Sequence, residues 1–207
     1  LDTYKGWYSV RDESFIAENE ITINKNNEKV GPSGDILKWL EEPSYFFKLS
    51  KWQNKLLQFY SDNPDFIKPK SRYNEVIKFV EAGLQDLSIS RTSFSWGIDV
   101  PGSSNHIIYV WLDALFNYLS VLSDENKMEK FWPADAHIVG KDILRFHAIF
   151  WPAFLLSANL KLPHKIFAHG WWTINGEKMS KSLGNVIDPL YLTEKYGIDQ
   201  IRYFLLR

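Results

Sequence analysis

Residues 106–112 read HIIYVWL, residues 136–140 read AHIVG and residues 165–173 read KIFAHGWWT. The first is a nearly continuous apolar run, the pattern of a strand covered on both faces. The other two are shorter runs of the same kind. Residues 114–122 and 143–156 carry helical patterns between them, and loop and helix follow Pro189. Strand, helix, strand, helix, strand, helix needs crossover connections and so implies a parallel sheet. The expected fold class is α/β, with residues 101–207 forming half of a doubly wound parallel sheet.

Upstream the character changes. Residues 4–10 (YKGWYSV) are strand-like, and residues 18–35, rich in Asn, Gly and Pro, read as loops with a short hairpin. Tyr45, Phe46, Phe47 and Leu49 suggest a second strand. Ser50-Lys51-Trp52-Gln53 has the form of a capping box, opening a helix that ends before Asn63-Pro64. A second helix is expected from about Ser71, with Tyr73, Val76, Ile77 and Val80 on one face and Gly83 as its C-cap. Residues 88–91 alternate like a strand. The chain is therefore expected to divide near residue 100 into an irregular α+β module (1–100) and the half-sheet (101–207).

Composition narrows the function classes. The 207 residues carry a net charge of −1, so contact with nucleic acid or an anionic membrane has to be local. Aromatic residues make up 16%, which excludes disorder as the main state. With no cysteine, disulfides and thiolate zinc sites are excluded, and a reducing, cytoplasmic setting is expected. The longest apolar run, Ala148 to Leu160, is broken by Pro152, Ser157 and Asn159 and is too short to span a membrane. The chain starts at Leu1 and stops at Arg207 within a helical pattern, and we read it as a piece of something longer.

The strongest chemical signal is Lys178-Met179-Ser180-Lys181-Ser182, preceded by an Asn175-Gly176 turn. Two lysines three apart, beside the carboxyl end of a strand, stand where open α/β sheets bind ligands. Their ammonium groups can neutralise charge gathering on a transferring or departing phosphate. The same pentapeptide also reads as a solvated surface turn. Gly140-Lys141-Asp142 closes a strand and opens a helix, with the glycine allowing close backbone approach and Asp142 able to accept from ribose hydroxyls. Ile143, His147 and Trp151 are spaced i, i+4, i+8 on one helix, and Trp111, Ala114, Leu115 and Tyr118 start another. Aromatic residues at such spacing also make ordinary core.

KMSKS as it stands here resembles the signature loop of the class I aminoacyl-tRNA synthetases. The surrounding sequence is similar to the methionine-specific members of that family. The resemblance is carried by Tyr109–Leu115 with Tyr118, by His137–Asp142, by Phe146-His147 and Phe150–Ala153, and by His169–Gly184. These segments keep the family's order and spacing. The resemblance covers essentially the whole chain, with residues 1–100 similar to the family's connective-peptide insertion and residues 101–207 to the second half of its Rossmann-like catalytic domain.

The resemblance implies a reaction and a set of roles. Methionine is activated by ATP to methionyl-adenylate, with Mg²⁺ assisting, and is then passed to tRNA. Trp111, Ala114, Leu115, Tyr118, Ile143, His147 and Trp151 would line the methionine side-chain pocket, where aromatic rings receive a thioether well. Gly140 and Asp142 would touch the ATP ribose and backbone near Trp172 the adenine. Lys178, Met179, Ser180, Lys181 and Ser182 would bind the triphosphate, with Lys181 and the assisting Lys178 acting catalytically. A role for His169 stays open. The partners implied are methionine, ATP and tRNA, with no membrane, and a monomer is expected.

Two departures qualify this. The family's other signature, HIGH, is absent, since no His-x-Gly-His occurs among the five histidines. These 207 residues alone are therefore expected not to activate methionine. Residues 8–12 (Tyr-Ser-Val-Arg-Asp) stand where the family's first zinc knuckle would begin, so a zinc-free insertion is expected, as in metal-free members. The alternatives are another class I synthetase, for leucine, valine, isoleucine or cysteine, or a non-catalytic, synthetase-derived tRNA-binding module.

Overall fold

In the computed structural model, residues 1–11, 14–16, 18–93, 95–179 and 184–206 are described. Ser180, Lys181 and Ser182 of the signature loop lie outside them. Strand β1 (Asp2–Ser9) pairs antiparallel with β2 (Ser14–Ile16), and the excursion that follows holds a hairpin of β3 (Thr22–Ile23) and β4 (Lys29–Val30). Its turn is closed by the Asn24 side chain, whose Oδ1 accepts from the amides of Asn26 and Glu28 at 2.9 and 3.0 Å. Strand β5 (Lys38–Ser44) then returns along the other edge of β1. The tandem of Tyr45, Phe46 and Phe47 makes β6 (Phe46–Phe47).

Helices α1 (Gln53–Asp62) and α2 (Lys70–Glu81) flank β7 (Ile67–Lys68). Val76 and Val80 are buried as the periodicity predicts, and Gly83 follows the last turn at φ +106°, a conformation that suits glycine. The expected capping box does not form. A 3₁₀ turn over Leu49–Trp52 precedes α1, and Ser50 instead donates its hydroxyl and amide to the Asp86 carboxylate at 2.5 and 3.2 Å. Gln53 Oε1 accepts from the Leu84 amide at 2.7 Å. The distant Leu84–Asp86 loop thus takes the partners that a local cap would have used.

Strands β8 (Leu87–Ser88), β9 (Ser90–Arg91), β10 (Asp99–Val100) and β11 (Ser103–Ile108) are antiparallel: β8 pairs with β6, and β11 lies between β9 and β10. This corrects the reading of residues 106–112 as one strand of the parallel sheet. The strand ends at Ile108, and α3 (Val110–Ser120) starts with Tyr109 as its N-cap residue. No turn residue marks the change, because the last inward strand position, Ile107, and Tyr109 are both apolar and buried. A short α4 (Glu125–Phe131) is capped by the Asp124 side chain.

The parallel sheet has the order β12 (His137–Gly140), β13 (Ile166–His169), β7. Ile67 and Lys68 stand opposite Ile166 and Phe167, so a strand from the first hundred residues closes the sheet. The core follows suit: Leu56, Tyr60, Ile67, Val76 and Val80 pack with Val139, Leu144, Ala148, Ile149 and Ile166. The division expected near residue 100 is therefore not where the packing changes. The periodicity of α1 and α2 showed that each has an apolar face but carried no information about which layer that face covers.

The helical stretch expected over 143–156 is irregular. A 3₁₀ turn (Lys141–Ile143) leads to a π-helical turn (Phe146–Phe150) and then to α5 (Trp151–Ser157). Pro152 has no amide hydrogen to give the Ala148 carbonyl, which would otherwise be left buried and unpaired. Tyr60 satisfies it, its hydroxyl donating to Ala148 O at 2.5 Å. The Trp151 amide bonds back to Phe146 O, the longer register of a π turn. After β13, a hairpin of β14 (Thr173–Ile174) and β15 (Glu177–Lys178) turns at Asn175-Gly176, both at positive φ. Helices α6 (Pro189–Tyr196) and α7 (Ile198–Leu206) finish the chain. No helix among the described residues is long and apolar enough to cross a membrane.

Candidate active site

The carboxyl ends of β12 and β13 carry the two polar motifs. Gly140 ends β12, and a Cβ there would lie 2.5 Å from Asp142 Oδ1, so glycine lets that carboxylate fold back over the strand end. Burial alone would push the Asp142 pKa up. It is outweighed by hydrogen bonds from the residue's own amide and the Trp171 indole and by the charge of Lys178, so the carboxyl lies below its ordinary value. Trp171 Nε1 donates to Oδ1 at 3.3 Å and Lys178 Nζ to Oδ2 at 3.4 Å. The Trp171 ring also meets two ammonium groups, Lys141 Nζ at 3.8 Å and Lys178 Nζ at 4.4 Å from its centroid. The two motifs, 36 residues apart, therefore meet through an aromatic ring that the sequence reading left unassigned. Trp172 is 53% exposed, and its carbonyl accepts from the Met179 amide at 2.9 Å.

The aromatic residues form a second group one layer down. Trp111 stacks on Phe146, with centroids 3.8 Å apart and planes at 9°. Tyr118 donates its hydroxyl to His147 Nε2 at 2.8 Å, because His147 Nδ1 is 3.0 Å from the Ile143 carbonyl and must carry the ring's proton. Burial lowers the His147 pKa and raises that of Tyr118, which keeps both neutral. Trp151 Nε1 donates to His137 Nε2 at 3.3 Å, and Tyr118 lies over the His137 ring at 4.3 Å.

A groove of about 820 Å³ joins the two groups. Trp111, Phe146 and Ile143 wall one part, and Lys141, Asp142 and Trp171 wall another. Seven residues were expected to share a pocket, and the structure distributes them by depth. Trp111 and Ile143 line the groove, Ala114 is exposed and Tyr118 is half-buried. Leu115, His147 and Trp151 lie in the core, with Trp151 at 0% exposure. Ile143, His147 and Trp151 stand in a 3₁₀ turn, a π turn and α5 in succession, with His147 and Trp151 both against the Tyr118 ring.

Sequence reasoning missed Arg91. Its side chain is buried on the groove wall, over the Tyr109 ring at 4.5 Å, with Nε 3.8 Å from Glu42 Oε1. It missed His137 too, although inward alternation of His137 and Val139 along β12 was an available signal.

Burial, with the nearby His147 in second place, pushes the His137 pKa down from its ordinary 6.5 to about 4. Between those values the unfolded chain takes up a proton that the native state refuses, so stability falls as the pH drops through this window. Above about 6.5 the effect is nil, and by pH 4 the loss approaches roughly 3 kcal/mol. Unfolding midpoints between pH 7 and pH 4.5 should decline accordingly. His137→Phe should flatten the curve, and an unchanged slope in that variant would contradict the assignment.

Residues 24–207 match the family model described as tRNA synthetases class I (M), which sets the chain among the class I tRNA synthetases. Within that class it belongs to the M family. Its relatives include the Methionine--tRNA ligase of Rickettsia conorii, 60% identical over 99% of this chain, and that of Rhizobium meliloti, 57% identical over 100%. The chain spans about 40% of the length of these curated relatives. A solved Mycobacterium tuberculosis methionyl-tRNA synthetase in complex with methionyl-adenylate superposes with a TM-score of 0.92. It is 54% identical across 100% of this chain and 41% of that one.

Proposed function

We propose that this chain supplies the methionine- and ATP-binding groove of a methionine–tRNA ligase. The observation that carries the reading is the single groove running from the Trp111–Ile143 wall to Asp142 and Trp171, in a chain 54% identical to a protein solved with methionyl-adenylate. The methionine carboxylate attacks the α-phosphate of ATP, an oxygen–phosphorus bond forms as the bond to pyrophosphate breaks, and methionyl-adenylate results. A terminal ribose hydroxyl of tRNA then attacks the carbonyl carbon and releases AMP. The substrate carboxylate is the nucleophile, so the protein's part is positioning and electrostatics.

Asp142, ionised and accepting, suits the ribose hydroxyls, which would replace the Trp171 and Lys178 donors it holds now. Lys178, freed from Asp142, can turn to phosphate oxygens. Among the described residues no cluster of three His, Asp or Glu side chains could hold a metal ion. Magnesium therefore fits here as part of the nucleotide substrate, held by its phosphates. We assign no zinc to a chain without thiolates.

Amino-acid-dependent ATP–pyrophosphate exchange by the full-length gene product tests the reading. Exchange is expected with methionine and not with leucine, isoleucine, valine or cysteine. Exchange with one of those four would make it another class I synthetase, and none with any amino acid would leave the tRNA-binding module.

A further inference from the structure

His137, which the sequence reading gave no role, touches Tyr118, Trp132, His147 and Trp151 of the buried aromatic cluster. It is 7% exposed on β12, three residues before Gly140. Its ring lies 4.3 Å from Tyr118 with planes at 33°, and 6.0 Å from His147 and 6.1 Å from Trp132. Its Nε2 accepts from the Trp151 indole. The contacts form a chain from Trp151 on α5 to His137 on β12, to Tyr118 on α3, to His147 in the π turn and on to the Ile143 carbonyl. Every link joins a different element, and only Tyr118 among the aromatic members of the chain retains substantial exposure.

Resting on the reading above, we infer that His137 is a positioning residue for the amino-acid side of the site. It holds the Tyr118 ring from beneath and is itself held by the Trp151 indole, which fixes the Tyr118 hydroxyl on His147. A phenol in a packed cluster has one hydroxyl position per ring position, and at 2.8 Å the hydrogen bond to His147 tolerates little displacement. Without the Trp151 hydrogen bond to hold it, the ring below Tyr118 shifts, Tyr118 follows, and the displacement passes through His147 to Ile143, which lines the groove. The side chains of Asp142 and Lys178 bond to each other and to Trp171 and to no member of this chain of contacts, so nucleotide binding should feel the change less than methionine binding.

The experiment is pyrophosphate exchange by the full-length gene product with methionine and ATP varied separately. His137→Phe keeps a ring under Tyr118 but drops the acceptor, His137→Gln keeps an acceptor but drops the ring, and Trp151→Phe removes the donor. His137→Phe is expected to raise the methionine KM about tenfold, the scale of one lost buried hydrogen bond, with ATP KM and kcat within about twofold. His137→Gln should recover part of that loss. Because one hydrogen bond is removed from either end, the double variant with Trp151→Phe should be no worse than the worse single. A methionine KM within about twofold of wild type, equal rises in both KM values, or fully additive singles would overturn the inference. Should His137→Phe not accumulate folded, His137→Gln and Trp151→Phe carry the test, each expected to raise the methionine KM at least about threefold. Values within about twofold in both would overturn it equally. If wild type itself shows no methionine-dependent exchange, the functional reading fails and takes this inference with it; if wild type is active and the variants match it, this inference alone fails.

Discussion

Trp151→Ala is expected to cost roughly 3–5 kcal/mol of stability, the range for removing a large aromatic side chain from a packed interior. From the sequence, Trp151 reads as pocket surface whose loss would chiefly weaken methionine binding. Its burial argues otherwise: the indole is 0% exposed, with Phe116 at 5.3 Å edge-on, Trp132 at 5.9 Å and the His137 hydrogen bond at its nitrogen. The helix above it already lacks one internal hydrogen bond at Pro152 and relies on Tyr60 to satisfy the freed carbonyl. A cavity at 151 would therefore sit beside a turn with little slack. Native stabilities are only about 5–15 kcal/mol in total, so the loss should appear as poor soluble yield or a melting temperature lowered by roughly 10 °C or more. Trp111→Ala provides the contrast. Trp111 is half-buried on the groove wall against Phe146, so its loss should raise the methionine KM with a smaller thermal penalty. A Trp151→Ala protein melting within about 3 °C of wild type while binding methionine ten times more weakly would restore the pocket reading.

The α/β class was legible because it rests on long-range repetition. Apolar strands alternating with amphipathic helices over 130–170 leave few alternatives to crossover connections. Which strands form the sheet was not legible. Residues 106–112 are more strand-like on composition than Ile67–Lys68, yet the second pair closes the parallel sheet and the first belongs to an antiparallel one. Two residues are too short to show a period, and an apolar run that passes from strand into helix hides its own boundary. The Ser50–Gln53 capping box failed for a related reason. Its residue types promise local hydrogen bonds, and the loop at Leu84–Asp86 offered partners that only tertiary structure could bring near.

The site was legible at its polar end. Gly140, Asp142 and Lys178 carry chemistry in their residue types, and the structure joins Lys178 to Asp142. The aromatic end was legible as a set but not in depth. Spacing of four and eight residues assumes an unbroken α-helix, and residues 143–151 instead run through a 3₁₀ turn, a π turn and the start of α5. Arg91 was overlooked because a single arginine in a two-residue strand carries no pattern, and His137 because its alternation with Val139 signals burial and no role. What distinguishes them is the company that folding gives them.

Lys181→Ala in the full-length gene product is expected to lower the rate of adenylate formation about 10²–10³-fold, roughly 3–4 kcal/mol of transition-state stabilisation, with the methionine KM little changed. The resemblance of residues 178–182 to the class I signature assigns Lys181 the phosphate contact, and the surroundings of Lys178 explain why the two lysines should differ. The Lys178 ammonium is already shared between the Asp142 carboxylate and the face of Trp171. To reach a phosphate it must give up contacts of similar kind, so its net contribution is the difference between the two environments. Lys178→Ala should accordingly cost less than Lys181→Ala, and it should also disturb the ATP KM by releasing Asp142. An interaction made only as charge gathers on the phosphates appears in kcat, whereas one made equally in the bound substrate appears in KM. Single-turnover formation of the adenylate, at saturating methionine and ATP, separates these cases. If Lys181→Ala formed the adenylate within about twofold of the wild-type rate, Lys181 would have no role in the chemistry and residues 178–182 would be a solvated turn.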